Sequence, residues 1–371
     1  MKKTAHLLYV NYLSPDGEKI TVGGIQTYLN NLSELLMEMG YEVVIYQRAS
    51  KNFNRKYNNI EVIGINGSSP RARTIGKELF KECKKRFNID SDILIFGSDD
   101  YICDTDGIPF IAIQHGITWD IPTEQNKIYG ILKKFYRGML VVKRVEKASL
   151  LVCVDNNFIN WYRATVTKPE VKMINIPNFA KIAPVIKKPE DRLLRIMFAR
   201  RFFPYRGTRV FSKAVKRLLK EYDNLEITLA GEGPDEKWLR NQFENESKVK
   251  LIKYSSYESL KVHSDKDIAV VPTLGSEGTS LSLLEAMSTQ CAVVCTNVGG
   301  MTDIILNGFN GLIVNPDEEC IYQSLRILIE NPELRLRLAK NGYNIVKECF
   351  SKEKWCSRWK EVIETYVINN R

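Results

Sequence analysis

Apolar residues recur along this chain in short runs, each followed by a glycine-bearing polar stretch and then by a segment of helical period. Leu7–Val10, Tyr41–Tyr46, Ile60–Ile65, Ile93–Phe96, Phe110–Gln114, Leu150–Val154 and Val171–Ile176 read as strands of the first half. Such runs lack a polar alternation, so they predict parallel strands with both faces covered. Between them, Ile25–Met39 carries Tyr28, Leu29, Leu32, Leu35, Leu36 and Met39 at helical spacing, with Gly40 as its stop. Thr74–Phe87 is a second predicted helix. The segment KIAPVIKKPEDR holds two prolines and no apolar period, which marks a linker. Beyond it the alternation resumes with predicted strands Leu194–Phe198, Leu225–Ala230, Val249–Ile252, Ile268–Val271 and Ala292–Thr296. Helices are expected at Thr208–Tyr222, Asp235–Phe243, Tyr257–His263 and Ser280–Ser288, and throughout the tail from Glu318, with Pro332 restarting it.

One device appears in both halves. A strand runs into a glycine-rich loop, and the loop opens a helix: Gly23–Gly24 before Ile25, and Gly275 to Thr279 before Ser280. Thr279 or Ser280 stands where a helix cap is expected. The free N–H groups of Gly278, Thr279, Ser280 and Leu281 then form an anion site of the kind that holds a phosphate. Gly299–Gly300 is expected to open a further helix.

Glu277 and Glu285 frame the second loop, eight positions apart. Eight helical residues rise roughly 12 Å, similar to the separation of ribose and sugar hydroxyls in a nucleoside diphosphate sugar. One acid can accept from each, with the helix N-terminus facing the phosphates between them. Arg201 and Arg206 follow a strand and flank a proline-containing loop, where two guanidiniums can clamp phosphate oxygens. His115 sits at a strand end before glycine, placed for a sugar hydroxyl or for charge developing at an anomeric carbon. Asp120 follows five residues on, as a group to orient His115 or to bind acceptor. Asp104-Thr105-Asp106 resembles a metal-binding D-x-D but reads as a turn. No metal ligand set is therefore expected. Nucleophile-elbow and P-loop signatures are absent, which argues against hydrolase and P-loop kinase chemistry.

A chain of 371 residues exceeds one ordinary core and implies two domains. The expected division is 1–180, a linker at 181–192, a second domain at 193–345, and a helix at 346–371 crossing back toward the first. No apolar run approaches the ~20 residues that span a bilayer, and the opening residues read as a strand rather than a secretory signal. Cys153, Cys291 and Cys295 lie in apolar runs and read as buried thiols of a cytoplasmic protein. The formal net charge is +10. Much of it lies in Arg71–Arg86 and in Lys127–Lys147, where Ile128, Tyr129, Ile131, Leu132, Phe135, Tyr136, Met139 and Leu140 interleave with the cations. That pattern suits either a packed helix with a basic face or one lying on an anionic membrane surface. Nucleic acid is not expected as a partner.

The motifs EGTSLSLLEAM, VVCTNVGGMTDII and NGLIVNP resemble the donor-site signature of glycosyltransferase family 4, group 1 glycosyltransferases that act with retention. INIPNFA is similar to that family's hinge entry, ARRFFPYRG to its phosphate clamp and LAGEGP to its nucleotide-side turn. The resemblance implies the α/β GT-B fold, two Rossmann-like domains facing a central cleft, with the acceptor on the first and the nucleotide sugar on the second. It implies that Arg201 is the clamp arginine and that Arg206 stands where lysine is usual. Glu277 would touch the donor sugar and Glu285 the ribose. Gly23 and Gly24 would approach the diphosphate, Gly231 and Glu232 would lie on the nucleotide side, and His115 would be the crevice histidine. Ala199 replaces the clamp's glycine, and Asp303 stands where glutamate often follows Gly-Gly. The implied activity is metal- and cofactor-independent transfer from a UDP- or GDP-sugar to a glycan or lipid-linked acceptor, in bacterial surface polysaccharide synthesis. A GT-B nucleotide-sugar epimerase and a non-enzymatic basic module binding membrane or nucleic acid are the alternatives.

Overall fold

A computed structural model of the chain describes residues 3–21, 23–122, 127–184, 193–255 and 258–370. The chain divides into two units. In order, the first half contains β1 (Lys3–Leu8), α1 (Gly24–Glu38), β2 (Tyr41–Ala49), β3 (Phe53–Tyr57), β4 (Ile60–Asn66), α2 (Ala72–Lys84) and β5 (Ile93–Phe96). It continues with β6 (Ile111–Gln114), α3 (Lys127–Val145), β7 (Leu150–Cys153), α4 (Asn156–Thr165) and β8 (Met173–Asn175). The second half contains β9 (Leu194–Ala199), α5 (Thr208–Glu221), β10 (Leu225–Ala230), α6 (Glu236–Gln242), β11 (Val249–Ile252), α7 (Ser259–His263) and β12 (Ile268–Val271). Then come α8 (Leu281–Ser288), β13 (Ala292–Thr296), β14 (Leu312–Val314), α9 (Glu318–Glu330), α10 (Pro332–Cys349) and α11 (Lys352–Asn370).

The first unit comprises Met1–His115, Asn126–Ile176 and Cys356–Arg371. Its sheet runs β3-β4-β2-β1-β5-β6-β7-β8, parallel except where β3 joins β4. The strand order reverses between β1 and β5, so the loops leaving those strands line the crevice of this unit. Lys3–Ala5 pair with Tyr41–Val43, which starts the first strand at Lys3 rather than at Leu7 as the apolar run implied. Strand β3, FNRKY, was illegible because its face is largely exposed and its residues polar. Helix α4 was also missed, although Asp155 caps it by accepting from the Phe158 N–H at 3.0 Å. Part of α11 belongs here: Trp359 is fully buried, and its Nε1–H donates to the Tyr28 hydroxyl at 2.9 Å.

The second unit comprises Gly116–Gln125 and Pro177–Trp355. It therefore begins at Pro177 rather than 193, takes in a segment from the first half, and ends at Trp355 rather than 345. Most of the expected linker, residues 185–192, lies outside the described residues, as does Tyr257 of the helix expected at Tyr257–His263. The sheet is fully parallel in the order β11-β10-β9-β12-β13-β14. Its order reverses between β9 and β12. Both faces of this sheet are covered: Ile196 and Phe198 of β9 enter one core, Met197 and Ala199 another. That is why the run reads as unbroken hydrophobic. The turn after β13 is a short 3₁₀ segment, Gly299–Asp303, and not the start of the helix expected there.

Candidate functional site

In the second unit the loops leaving β9 and β12 meet where the strand order reverses, the position at which open α/β sheets bind ligands. Glu277 lies in the β12 loop and is 8% exposed. Its Oε2 accepts from Arg200 Nη2 and Arg206 Nη1. The Thr273 hydroxyl donates to the same oxygen at 3.0 Å, while Arg200 Nη1 donates to that hydroxyl at 2.7 Å. Burial works to raise the Glu277 pKa, but the two guanidiniums and Thr273 outweigh it and hold the carboxyl below its usual range. Burial likewise lowers Arg200, against the pull of Glu277. Two cations and one anion thus share a nearly dry site, with one positive charge in excess. Oε1 of Glu277 accepts none of these bonds.

The backbone around this cluster is crowded. Arg206 also donates to the Ser276 carbonyl at 3.1 Å. Ser276 adopts φ 61°, unusual for a residue with a Cβ. Its N–H donates to Asp120 Oδ1 at 2.7 Å, which fixes that conformation. Gly299, at φ +55°, places its Cα against the Glu277 carbonyl, where a Cβ would lie 1.9 Å from the oxygen. Helix α8 follows the loop. Ser280 is its N-cap residue, but no side chain caps the helix, contrary to expectation. The Thr279 carbonyl instead accepts from Asn178 at 2.8 Å. The orphan N–H groups of this helix end are available to an anion.

Glu285, on α8, accepts from the Ser259 hydroxyl at 2.6 Å. Burial pushes its pKa up to about 7, against that hydrogen bond. Tyr254 lies between the two carboxylate clusters electrostatically: burial raises its phenol first and Glu285 adds to this, while Arg200 opposes it. Gly231 crosses the Arg200 backbone, at φ +148° with its N–H bonded to the Ile252 carbonyl at 2.9 Å. The Glu232 side chain is exposed beside Lys253 (3.6 Å), and its carbonyl accepts from the Phe202 N–H.

Arg201 is exposed and lies over the Phe203 ring at 5.5 Å; the buried arginine paired with Glu277 is its neighbour Arg200, which the sequence did not single out. No alternation marks it, because both faces of β9 are buried, Ile196 and Phe198 in one core and Met197 and Ala199 in another. Asp120, expected to orient His115 or bind acceptor, accepts from the Ser276 N–H and so supports that loop.

The first unit holds the other candidates. His115 Nε2–H donates to the Gly97 carbonyl at 2.9 Å, and Tyr28 meets its ring edge-on at 5.3 Å. Burial lowers its pKa to about 4, against the Gly97 bond. The imidazole is therefore neutral near pH 7, with Nδ1 left as an acceptor. Gly23 and Gly24 open α1, and a Cβ on Gly23 would strike Gln26 Oε1 at 2.3 Å. The D-x-D segment is a turn: Asp106 has φ 52° and its N–H donates to Asp104 Oδ1 at 3.2 Å, while Lys84 and Lys147 pair with the two carboxylates. Cys153, Cys291 and Cys295 are buried and outside any disulfide.

Residues 179–345 match the model of the family described as glycosyl transferases group 1. An uncharacterized glycosyltransferase of Methanocaldococcus jannaschii is 22% identical over 405 residues, covering 99% of this chain and 100% of the relative. The sucrose-phosphate synthase of Thermosynechococcus elongatus superimposes with a TM-score of 0.78 at 15% identity, over 99% of this chain and 100% of its own. HepE of Anabaena, solved in complex with UDP, gives 0.72 at 13% identity, over 98% and 100%. The fold is GT-B, built of two Rossmann-like α/β units. The chain is a glycosyltransferase enzyme.

Proposed function

We propose that this enzyme is a retaining family 4 glycosyltransferase that moves a sugar from a UDP- or GDP-sugar to a glycan or lipid-linked acceptor. The observation that carries this reading is the Arg200–Glu277–Arg206 cluster beside the uncapped N-terminus of α8. Breaking a sugar–phosphate bond leaves negative charge on the diphosphate. Two guanidiniums and a set of helix N–H groups would stabilise that charge. In this reading they do the work of a divalent cation, so neither metal nor other cofactor is required. A bound diphosphate would compete with Glu277 for the guanidiniums, and Oε1 would accept from a donor-sugar hydroxyl. Glu285 would take the ribose hydroxyls, with Ser259 holding its second oxygen. His115 Nδ1 would accept from a hydroxyl, and Gly23–Gly24 would admit the diphosphate. HepE was solved with UDP, which favours a nucleoside diphosphate as the leaving group. Surface polysaccharide synthesis is the process to which such an activity is assigned here.

The test uses purified enzyme with UDP- and GDP-sugars. Arg206→Ala should lose nucleotide affinity about 10- to 100-fold, the value of one or two charge-assisted hydrogen bonds. Turnover should be unchanged by EDTA. Transfer that fails after metal removal and returns with added Mg²⁺, or full nucleotide affinity in Arg206→Ala, would overturn the reading. Conversion of the donor without an acceptor would indicate an epimerase.

A further inference from the structure

Helix α3 turns its large side chains outward. Its buried residues are small or short: Gly138, Val141, Val142 and Val145. At 100° per residue these four share one narrow arc. Elsewhere on the helix Ile128 is 70% exposed, Ile131 59%, Leu132 62%, Phe135 64%, Tyr136 64% and Leu140 42%. By the same geometry these six form a continuous apolar stripe, about half the circumference. Single exposed apolar residues are ordinary on a protein surface, but a stripe of this size marks an interaction face.

Charge selects the occupant. Lys133 and Arg137 border the stripe, Lys143 stands within it near the helix end, and no acidic residue occurs between positions 125 and 145. A second copy of this face would oppose cation to cation across apolar contacts. A nucleic acid would engage the cations and leave the stripe in water. An anionic bilayer satisfies both halves, taking the apolar stripe into the acyl boundary and the cations at its phosphates. The turn at Asp99–Tyr101 packs against both α2 and α3, and the other basic segment, Arg71–Arg86, leaves Arg71, Arg73, Lys77 and Lys81 exposed.

We propose that α3 is a membrane-docking helix that lies in the headgroup layer of an anionic bilayer through its apolar stripe. This stands apart from the transferase reading, because vesicle binding requires no sugar transfer. The test is co-sedimentation of the full chain with vesicles of phosphatidylcholine alone, or of phosphatidylcholine and phosphatidylglycerol in equal parts. Wild type should pellet with the mixed vesicles, more weakly with the neutral ones, and less as salt rises. The double variant Leu132→Glu/Phe135→Glu should stay in the supernatant with both. Lys133→Glu/Arg137→Glu should lose the preference for anionic vesicles, about five-fold per cation removed. All four positions are at least partly solvent-exposed, so both variants should unfold at the wild-type denaturant midpoint. Wild type left in the supernatant with mixed vesicles overturns the proposal whatever the variants do. So does undiminished binding by the Leu132→Glu/Phe135→Glu variant. A lipid-free dimer that this variant dissociates would assign the face to a second copy instead.

Discussion

At the scale of single residues, the Glu277 carboxylate offsets one of the two positive charges of Arg200 and Arg206. In the proposed function a diphosphate entering the cluster would take its place. Glu277→Gln keeps the shape and removes the charge. Nucleotide should then bind at least as tightly, while transfer falls about 100-fold or more as the charge-assisted hydrogen bond proposed to the donor sugar is lost. Isothermal titration beside initial rates separates these two effects. Glu277→Ala is a poorer probe, because it leaves Arg200 buried without its partner, a change that costs about 3–5 kcal/mol. Glu285 carries a pH signature. Its ordinary pKa of 4.5 rises to about 7 in the folded chain. Between those values the folded state holds a proton the unfolded state has released, so stability falls as pH rises through that window. Glu285→Gln should flatten the decline by up to about 3 kcal/mol, measured as denaturant midpoints at pH 5 and pH 7.5. His115 acts oppositely: with its folded pKa at about 4 instead of 6.5, it removes stability as pH falls between those values.

At the scale of elements, the legible parts were those whose burial is uniform. The strands β5, β6, β7, β12 and β13 are buried along their whole length, and each stands in the sequence as an apolar run. Strand β3 is not, and tertiary pairing with β4 overrides its polar composition. The clamp was legible as a loop, but the pairing of Arg200 with Glu277 was not: the string of Arg, Arg, Phe and Phe hides which residue of each pair turns inward. The support that Asp120 gives Ser276 was illegible, because the two are 156 positions apart. The loop geometry makes its own prediction. Gly299→Ala would demand positive φ from alanine and drive its Cβ into the Glu277 carbonyl. A loss of stability above about 1 kcal/mol, with transfer falling further than stability explains, is expected from parallel unfolding and rate measurements.

At the scale of the whole molecule, each unit repeats one plan: a parallel sheet whose order reverses at a pair of strands, with glycine loops and helix starts at that reversal. Sequence alone showed the repetition but not where the chain passes between units. The segment Gly116–Gln125 carries no composition shift, yet it groups with the second unit. The tail contributes to the first unit through Trp359, fully buried against Tyr28. Trp359→Ala should therefore destabilise that unit by about 3–5 kcal/mol, seen as an earlier transition in thermal unfolding.

The central claim is that the diphosphate of an activated sugar lodges between Arg200, Arg206 and the N-terminus of α8. A crystal of the enzyme soaked with UDP or GDP tests it most directly. The account predicts phosphate oxygens within hydrogen-bond distance of both guanidiniums, with the Arg206–Glu277 pair opened. Phosphates seated elsewhere, with that pair intact, would contradict it.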